Sequence, residues 1–402
     1  MFYWYYRNLS FKSFFLFIVT FMSISLFAQE KTVKTWYDTD KKQLKESFSV
    51  IVEENKELKQ GKYTIFYADG KVWQVGNYDH DKLVGLWKDY YEGGVLKQEM
   101  PYENGLLNGI LNFYYPSGKL QQKISYKNDL INGQVINYLE NGNVQEIAFY
   151  SNNLPNGEVK TFYEDKKPRF IKQYKNGVED GIVISYYENG NVKEKSVKKN
   201  GVYDGLFTDY YKDSEDGAVN KRCYYKNGKL NGTLTGYYSH GNVKLICNYV
   251  DDLITGNFTE YYDSTKVLIK EIGTYKNNLK DGLWKSYYLN GEVYTTGEYK
   301  QGKLSGNWKI YFSDGKLKLT GAYVDGKAEG EWLFYYESGE LKNRGSYQND
   351  YKEGIWLTYY KTGELMSEIN FHNGQREGKA IGYDIKGKIV DSINYNSEEK
   401  SE

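Results

Sequence analysis

At 402 residues the chain has room for two or three globular domains, but 44 tyrosines and 41 glycines against four prolines and four methionines exclude an ordinary compact α/β mixture. Tyr favours strands and Gly favours turns, so the composition reads as all-β with many hairpins. Lys plus Arg and Asp plus Glu balance at 53 each, which leaves no net field to draw in nucleic acid or an anionic membrane.

In chain order, Arg7 and Lys12 precede an apolar run from Phe14 to Phe27 that ends among the small residues Ser23, Ser25 and Ala28. This is the pattern of a signal peptide over residues 1–28, cleaved after Ala28. The run is shorter than the ~20 apolar residues of a membrane-spanning helix, and no cysteine follows it to take a lipid. The expectation is an exported protein, periplasmic, at the cell surface or secreted. Residues 29–60, rich in charge and carrying Trp36-Tyr37 and Phe48 to Val52, read as a degenerate N-terminal half-repeat capping one end.

From residue 61 to 396 one 24-residue unit recurs fourteen times, followed by a polar tail at 397–402. Units start at Gly61, Gly85, Gly109, Gly133, Gly157, Gly181, Gly205, Gly232, Gly256, Gly282, Gly306, Gly330, Gly354 and Gly378, and those at Gly205 and Gly256 are longer by three and two residues. Counting each starting glycine as position 1, the unit is G-x-W-x-x-Y-Y-x-x-G-x-L-x-x-x-x-x-Y-x-N-G-x-x-x. Two strand-like runs flank a short link such as Ala68-Asp69-Gly70 or Glu188-Asn189-Gly190. The Asx-Gly pairs suggest a two-residue type I′ turn. That turn sets position 7 opposite 12, position 6 opposite 13, position 3 opposite 16 and position 1 opposite 18.

The pairing is testable within the sequence. Position 16 is glycine at Gly76, Gly273, Gly297, Gly321 and Gly345, and position 3 of the same units is always aromatic: Tyr63, Phe258, Trp284, Trp308 and Trp332. A ring over a strand glycine fills the space its missing side chain leaves. With period-two alternation, positions 3, 7, 12, 16 and 18 form the apolar face, including the structural aromatics Trp87, Trp284, Trp308, Trp332 and Trp356. The fold expected is all-β: an elongated open antiparallel meander, a single-layer twisted sheet of about fourteen hairpin repeats.

The unit Gly282-Leu-Trp-Lys-Ser-Tyr-Tyr-Leu-Asn-Gly with its closing Y-x-N-G resembles the MORN repeat, most closely its bacterial variant form. The resemblance covers about five-sixths of the chain. It implies an open run of hairpins used for protein or membrane attachment. Some bacterial members carry an antitoxin label, which fits poorly with an exported chain.

The unit at Gly157 breaks the pattern, with Lys166 in place of the turn glycine and Pro168 in a ladder position, so a bulge or disorder is expected near 165–172. Lys198 replaces the position-18 tyrosine of the next unit, and with Lys167, Arg169, Lys172 and Lys193 it makes a basic patch that neighbouring carboxylates nearly cancel. Lengthened loops fall at Asp213–Asp216 and Ser264–Lys266. Chemistry is scarce. His80, His240 and His372 are far apart in turns, no nucleophile, phosphate-loop or metal-ligand motif occurs, and carboxylates are too common for any pair to mark acid/base work. Cys223 and Cys247 both fall at position 16 of neighbouring units, about 9.6 Å apart across two strands, beyond disulfide reach. Two free, half-buried thiols are expected.

The reading is a non-enzymatic scaffold without cofactor, metal, nucleic acid or small-molecule substrate. A protein is the expected partner, with a glycan or membrane surface as the alternative. Position 6 supplies the candidate binding strip: Tyr90, Tyr114, Tyr138, Tyr186, Tyr210, Tyr237, Tyr261, Tyr287, Tyr311, Tyr335 and Tyr359, with Phe66, Phe162 and Tyr383 in the remaining units. In the expected register it faces Lys or Arg at position 13 in half the units, among them Lys97, Lys244, Lys318 and Lys342.

Overall fold

The computed structural model describes residues 30–214 and 217–395. The expected signal peptide, the C-terminal tail and part of the first lengthened loop lie outside the described residues. Within them there is no helix. Thirty-three strands follow one another, from β1 (Lys31–Trp36) to β33 (Ile389–Tyr395), numbered in chain order. Contacts divide the described residues into two compact units, one within 30–108 and 116–118, the other within 109–115 and 119–395.

In the first unit β1, β2 (Leu44–Glu53), β3 (Lys56–Phe66), β4 (Val72–Asp79), β5 (Lys82–Tyr90) and β6 (Leu96–Glu103) pair in sequence, all antiparallel. The second unit continues the same rule to its last pair, β32 (Gln375–Tyr383) with β33. The fold is therefore an open antiparallel meander of hairpins. Residues 31–53 are a whole hairpin rather than a half-repeat: Lys31 faces Val50 and Val33 faces Phe48, as positions 1 and 3 face 18 and 16 elsewhere.

The register agrees with the sequence reading along most of each hairpin. Gly61 faces Tyr78, and Tyr63 faces Gly76. At the turn it departs. Phe66 faces Val72, so position 6 meets 12, not 13, and the same shift recurs in the later hairpins. The cause is the turn type. The Gly70 amide donates to the Tyr67 carbonyl and the Tyr67 amide to the Lys71 carbonyl, a type I turn closed by a bulged glycine in the left-handed region at φ 84°. Asp69 does not take a positive φ. Its carboxylate instead accepts the Lys71 amide. One extra residue on the second strand moves position 12 to the face of position 6 and position 13 to the face of position 7, correcting the expected faces.

The two-residue type I′ turns lie at the other end, in the closing Y-x-N-G. His80 and Asp81 take φ 49° and 62°, Asn176 and Gly177 49° and 86°. Asn, Asp and Gly occupy nearly every such site because both central residues need the left-handed region.

The buried face holds positions 3, 16 and 18. Each position-3 indole stands edge-on between two position-18 rings: Trp284 lies 5.1 Å from Tyr275 and 6.1 Å from Tyr299, Trp356 5.1 Å from Tyr347 and 6.4 Å from Phe371. The ring that covers a position-16 glycine belongs to the following unit and not to its own. A Cβ on Gly76, Gly273, Gly297, Gly321 or Gly345 would fall 2.1–2.3 Å from Trp87, Trp284, Trp308, Trp332 or Trp356 respectively. The indole lies flat on the glycine backbone, and in Trp87, Trp284, Trp308 and Trp356 its N–H reaches the carbonyl of the next residue, as Trp284 does to Thr274 at 3.0 Å. In other junctions a side chain at position 16 takes the space and position 3 is smaller, as in Ile124 opposite Val135 and Ala148 opposite Val159, while Cys247 still faces the ring of Phe258.

Pro168 causes neither disorder nor an unusual bulge. It begins a strand and faces Phe162 in the shifted register shared by all units, a place where no ladder amide is required. Lys166 takes the glycine's role at φ 72°.

Candidate binding surface

All eleven strip tyrosines are the last residue of their strand and half-buried. The bulge that separates them from position 13 hands those cations to position 7. Lys97 lies over Tyr91, Lys193 over Tyr187, Lys244 over Tyr238, Lys318 over Phe312 and Lys342 over Tyr336, at 5.6–5.9 Å from the ring centres. Where position 13 is aromatic it packs on the same ring, as Trp73 on Tyr67 at 5.9 Å and Tyr294 on Tyr288 at 4.9 Å.

Position 7 has a second task. The shift in register frees the carbonyl of position 6, and the position-7 hydroxyl of the preceding unit donates to it: Tyr67 to Tyr90, Tyr187 to Tyr210, Tyr262 to Tyr287 and Tyr288 to Tyr311, at 2.7–3.1 Å. Tyr37 does the same to Phe66 at 2.8 Å, extending the spine into the first hairpin. This spine was not legible from periodicity, since only the bulge creates the acceptor.

The rings at positions 3, 7 and 18 thus have structural partners. The side chains of Tyr287, Tyr311 and Tyr335 make no hydrogen bond, ion pair or ring contact within the described protein. A shallow cleft of about 620 Å³ opens beside Tyr335, lined also by Phe312, Lys318, Phe334, Tyr336 and Lys342. Another, of about 310 Å³, lies between Tyr261, Tyr262 and the lengthened loop Ser264–Val267.

The irregular segment replaces rings with charge. Glu179 meets Lys172 at 2.5 Å and Lys198 at 2.6 Å. Burial pushes its carboxyl up, but the two lysine hydrogen bonds outweigh that and hold it at about 2. The basic patch is therefore neutralised where it is least exposed. Burial and the nearby Glu179 and Glu194 carboxylates push the Tyr174 and Tyr203 phenols up to about 12.

The histidines stay apart, each exposed and bound to a local carboxylate: His80 to Asp79, His240 to Asp263, His372 to Glu353. Among the described residues no group of three His, Cys, Asp or Glu is placed to hold a metal. Cys223 and Cys247 are free, and fully buried rather than half-buried at 1% and 2% exposure. Burial pushes the Cys223 thiol up to about 11.

The repeat with its hairpin, bulged turn and Y-x-N-G closure matches the MORN repeat variant over residues 59–80, 83–104, 107–128, 131–152, 155–176, 179–198, 230–251, 280–301, 304–325, 328–349 and 352–373, more than half of the chain. The chain belongs to the MORN repeat variant family. The unmatched units are the two lengthened ones and the last. Repeats of the MORN family commonly serve as protein- or membrane-binding modules, and the family is one of scaffolds rather than enzymes. No curated protein matches the chain. Similar solved structures are TcdB2-TccC3 without hypervariable C-terminal region, TcdB2-TccC3 and TcdB2-TccC3-Cdc42, at 10%, 12% and 9% identity and TM-scores of 0.17, 0.15 and 0.13. They cover 92%, 91% and 88% of this MORN-variant chain. It spans only 23%, 23% and 26% of theirs, and at such scores the likeness carries no argument.

Proposed function

We propose that this MORN-variant chain is an exported, non-enzymatic scaffold that binds another protein at the cell envelope or outside the cell, through the position-6 tyrosines and the clefts beside them. One observation carries the reading: the other aromatic series of the repeat are engaged in holding the fold, whereas the side chains of Tyr287, Tyr311 and Tyr335 have no hydrogen-bond, ionic or ring partner among the described residues. Tyrosine with an unengaged hydroxyl offers rigid apolar area and a polar tip, the combination enriched at protein interfaces. The lysines over the neighbouring rings keep their ammonium groups near the surface, which favours a partner carrying acidic groups. Export rests on the pattern of residues 1–28.

The test places a photo-crosslinking amino acid at Tyr311 in the native cell. A discrete protein adduct recovered outside the cytoplasm supports the reading. Crosslinks confined to cytoplasmic proteins, or capture by a glycan array or liposomes with no protein adduct, overturn it.

A further inference from the structure

We propose that the two free sheet edges of this chain are complementary, so that β33 of one copy receives β1 of a second copy as the next strand of its ladder. Among the described residues β1 pairs only with β2, and β33 only with β32, so each presents one row of unpaired backbone groups. Inside the repeat, the second strand of one unit pairs with the first strand of the next through three contacts: position 14 with 5, 15 with 4 and 16 with 3. Gln122, Lys123 and Ile124 meet Asn137, Ile136 and Val135 in this way.

The free edges carry the two halves of that junction. β33 is the second strand of its unit and offers Asp391, Ser392 and Ile393 at positions 14, 15 and 16. β1 is the first strand of its hairpin and offers Thr35, Lys34 and Val33 at positions 5, 4 and 3. Ile393 against Val33 of the second copy repeats the internal pair Ile124 and Val135, which are 7% and 6% exposed, whereas Ile393 is 46% exposed. The missing strand accounts for that difference. Its neighbours Ile389 and Val390 are 52% and 64% exposed.

A polar detail agrees. The position-14 side chain bonds position 5 of the next unit from Gln74 to Asp89, Gln122 to Asn137 and Asn343 to Thr358, at 2.7–2.8 Å. At the β1 edge Thr35 holds position 5, and in the proposed junction it faces Asp391 of the other copy. Pairing β33 with itself about Asp391 would instead set two carboxylates face to face, and the exposed Lys31 and Lys34 discourage β1 from pairing with itself. The contact is head-to-tail, so each copy added to an open assembly leaves one edge of either kind for the next, and growth beyond dimers is expected. It is independent of the partner surface proposed above.

The test introduces Lys34→Cys and Ser392→Cys, which face each other in the proposed junction, into the full chain. The native thiols are buried and leave the new pair as the reactive one. Mild oxidation of the double variant should give a series of disulfide-linked multimers on a non-reducing gel, and each single variant at most dimers. Adding Ile393→Lys, on a side chain already half exposed, should reduce that series at least tenfold with an unchanged thermal midpoint. A double variant that stays monomeric or stops at dimers overturns the proposal. So does a series undiminished by Ile393→Lys.

Discussion

Replacing Gly273 by alanine tests the packing rule of this sheet. The added Cβ would sit 2.2 Å from Cδ2 and 2.3 Å from Cε2 of Trp284, against ordinary carbon contacts of about 3.5–4 Å. The indole must lift by more than about 1 Å. It is held down by edge contacts to Tyr275 and Tyr299, by its bond to the Thr274 carbonyl and by the Lys280 ammonium 3.8 Å from a ring centre. Overpacking costs about 1–3 kcal/mol, and a weakened edge-to-face pair about 0.5–1.5 kcal/mol more, so Gly273→Ala should cost about 2–4 kcal/mol. Trp284→Val alone should cost about 3–5 kcal/mol through the cavity it opens. Together the two changes recreate the pair Ala148 and Val159 that the chain already uses. The double variant should therefore cost less than the sum of the singles by about 1–3 kcal/mol. Urea unfolding of the full chain measures the totals, and hydrogen exchange of β23 (Ile269–Lys276) and β24 (Leu279–Tyr287) locates them. A Gly273→Ala variant within about 0.5 kcal/mol of the parent, or strictly additive losses, refutes the reasoning.

Further outcomes follow from single groups. The Trp284 N–H is bonded whereas the buried Trp332 N–H has no partner, so Trp284→Phe should cost about 1 kcal/mol more than Trp332→Phe in the same unfolding assay. Phe312 interrupts the hydroxyl spine opposite the Tyr335 carbonyl, and Phe312→Tyr should stabilise by about 0.5–1 kcal/mol, seen as slower exchange near Tyr335. Glu179 is held at about 2 in the fold against an ordinary 4.5, so its contribution is present above about 4.5 and lost as pH falls towards 2. Glu179→Gln should flatten that part of the thermal midpoint's pH profile. Cys223 and Cys247 should resist a thiol reagent at pH 8 in the folded chain and react on unfolding.

The repeat, the hairpin, the face-to-face partners of positions 1, 3, 16 and 18 and the free cysteines were legible in the sequence, because glycine phase and aromatic spacing survive every unit. The end of the hairpin was not. Asp69-Gly70 serves a type I′ turn or a bulged type I turn equally well by composition, and only the backbone shows that Gly70 alone takes the positive φ. That single residue of difference sent the position-13 lysines to the wrong rings. The ring over each position-16 glycine was legible yet misassigned: all five position-3 tryptophans directly follow a unit with glycine at position 16, a one-to-one match that points to the next unit. The hydroxyl spine of position 7 and the Glu179 cluster depend on distances across the bulge and on burial, which residue spacing does not encode.

The most direct test of the scaffold reading is to replace Tyr287, Tyr311 and Tyr335 together by serine and measure, on the same preparation, the thermal midpoint and the affinity for the crosslinked partner. The account predicts a midpoint close to that of the parent and binding weakened at least tenfold. A lowered midpoint with undiminished affinity would contradict it, placing these tyrosines in the fold and the partner elsewhere.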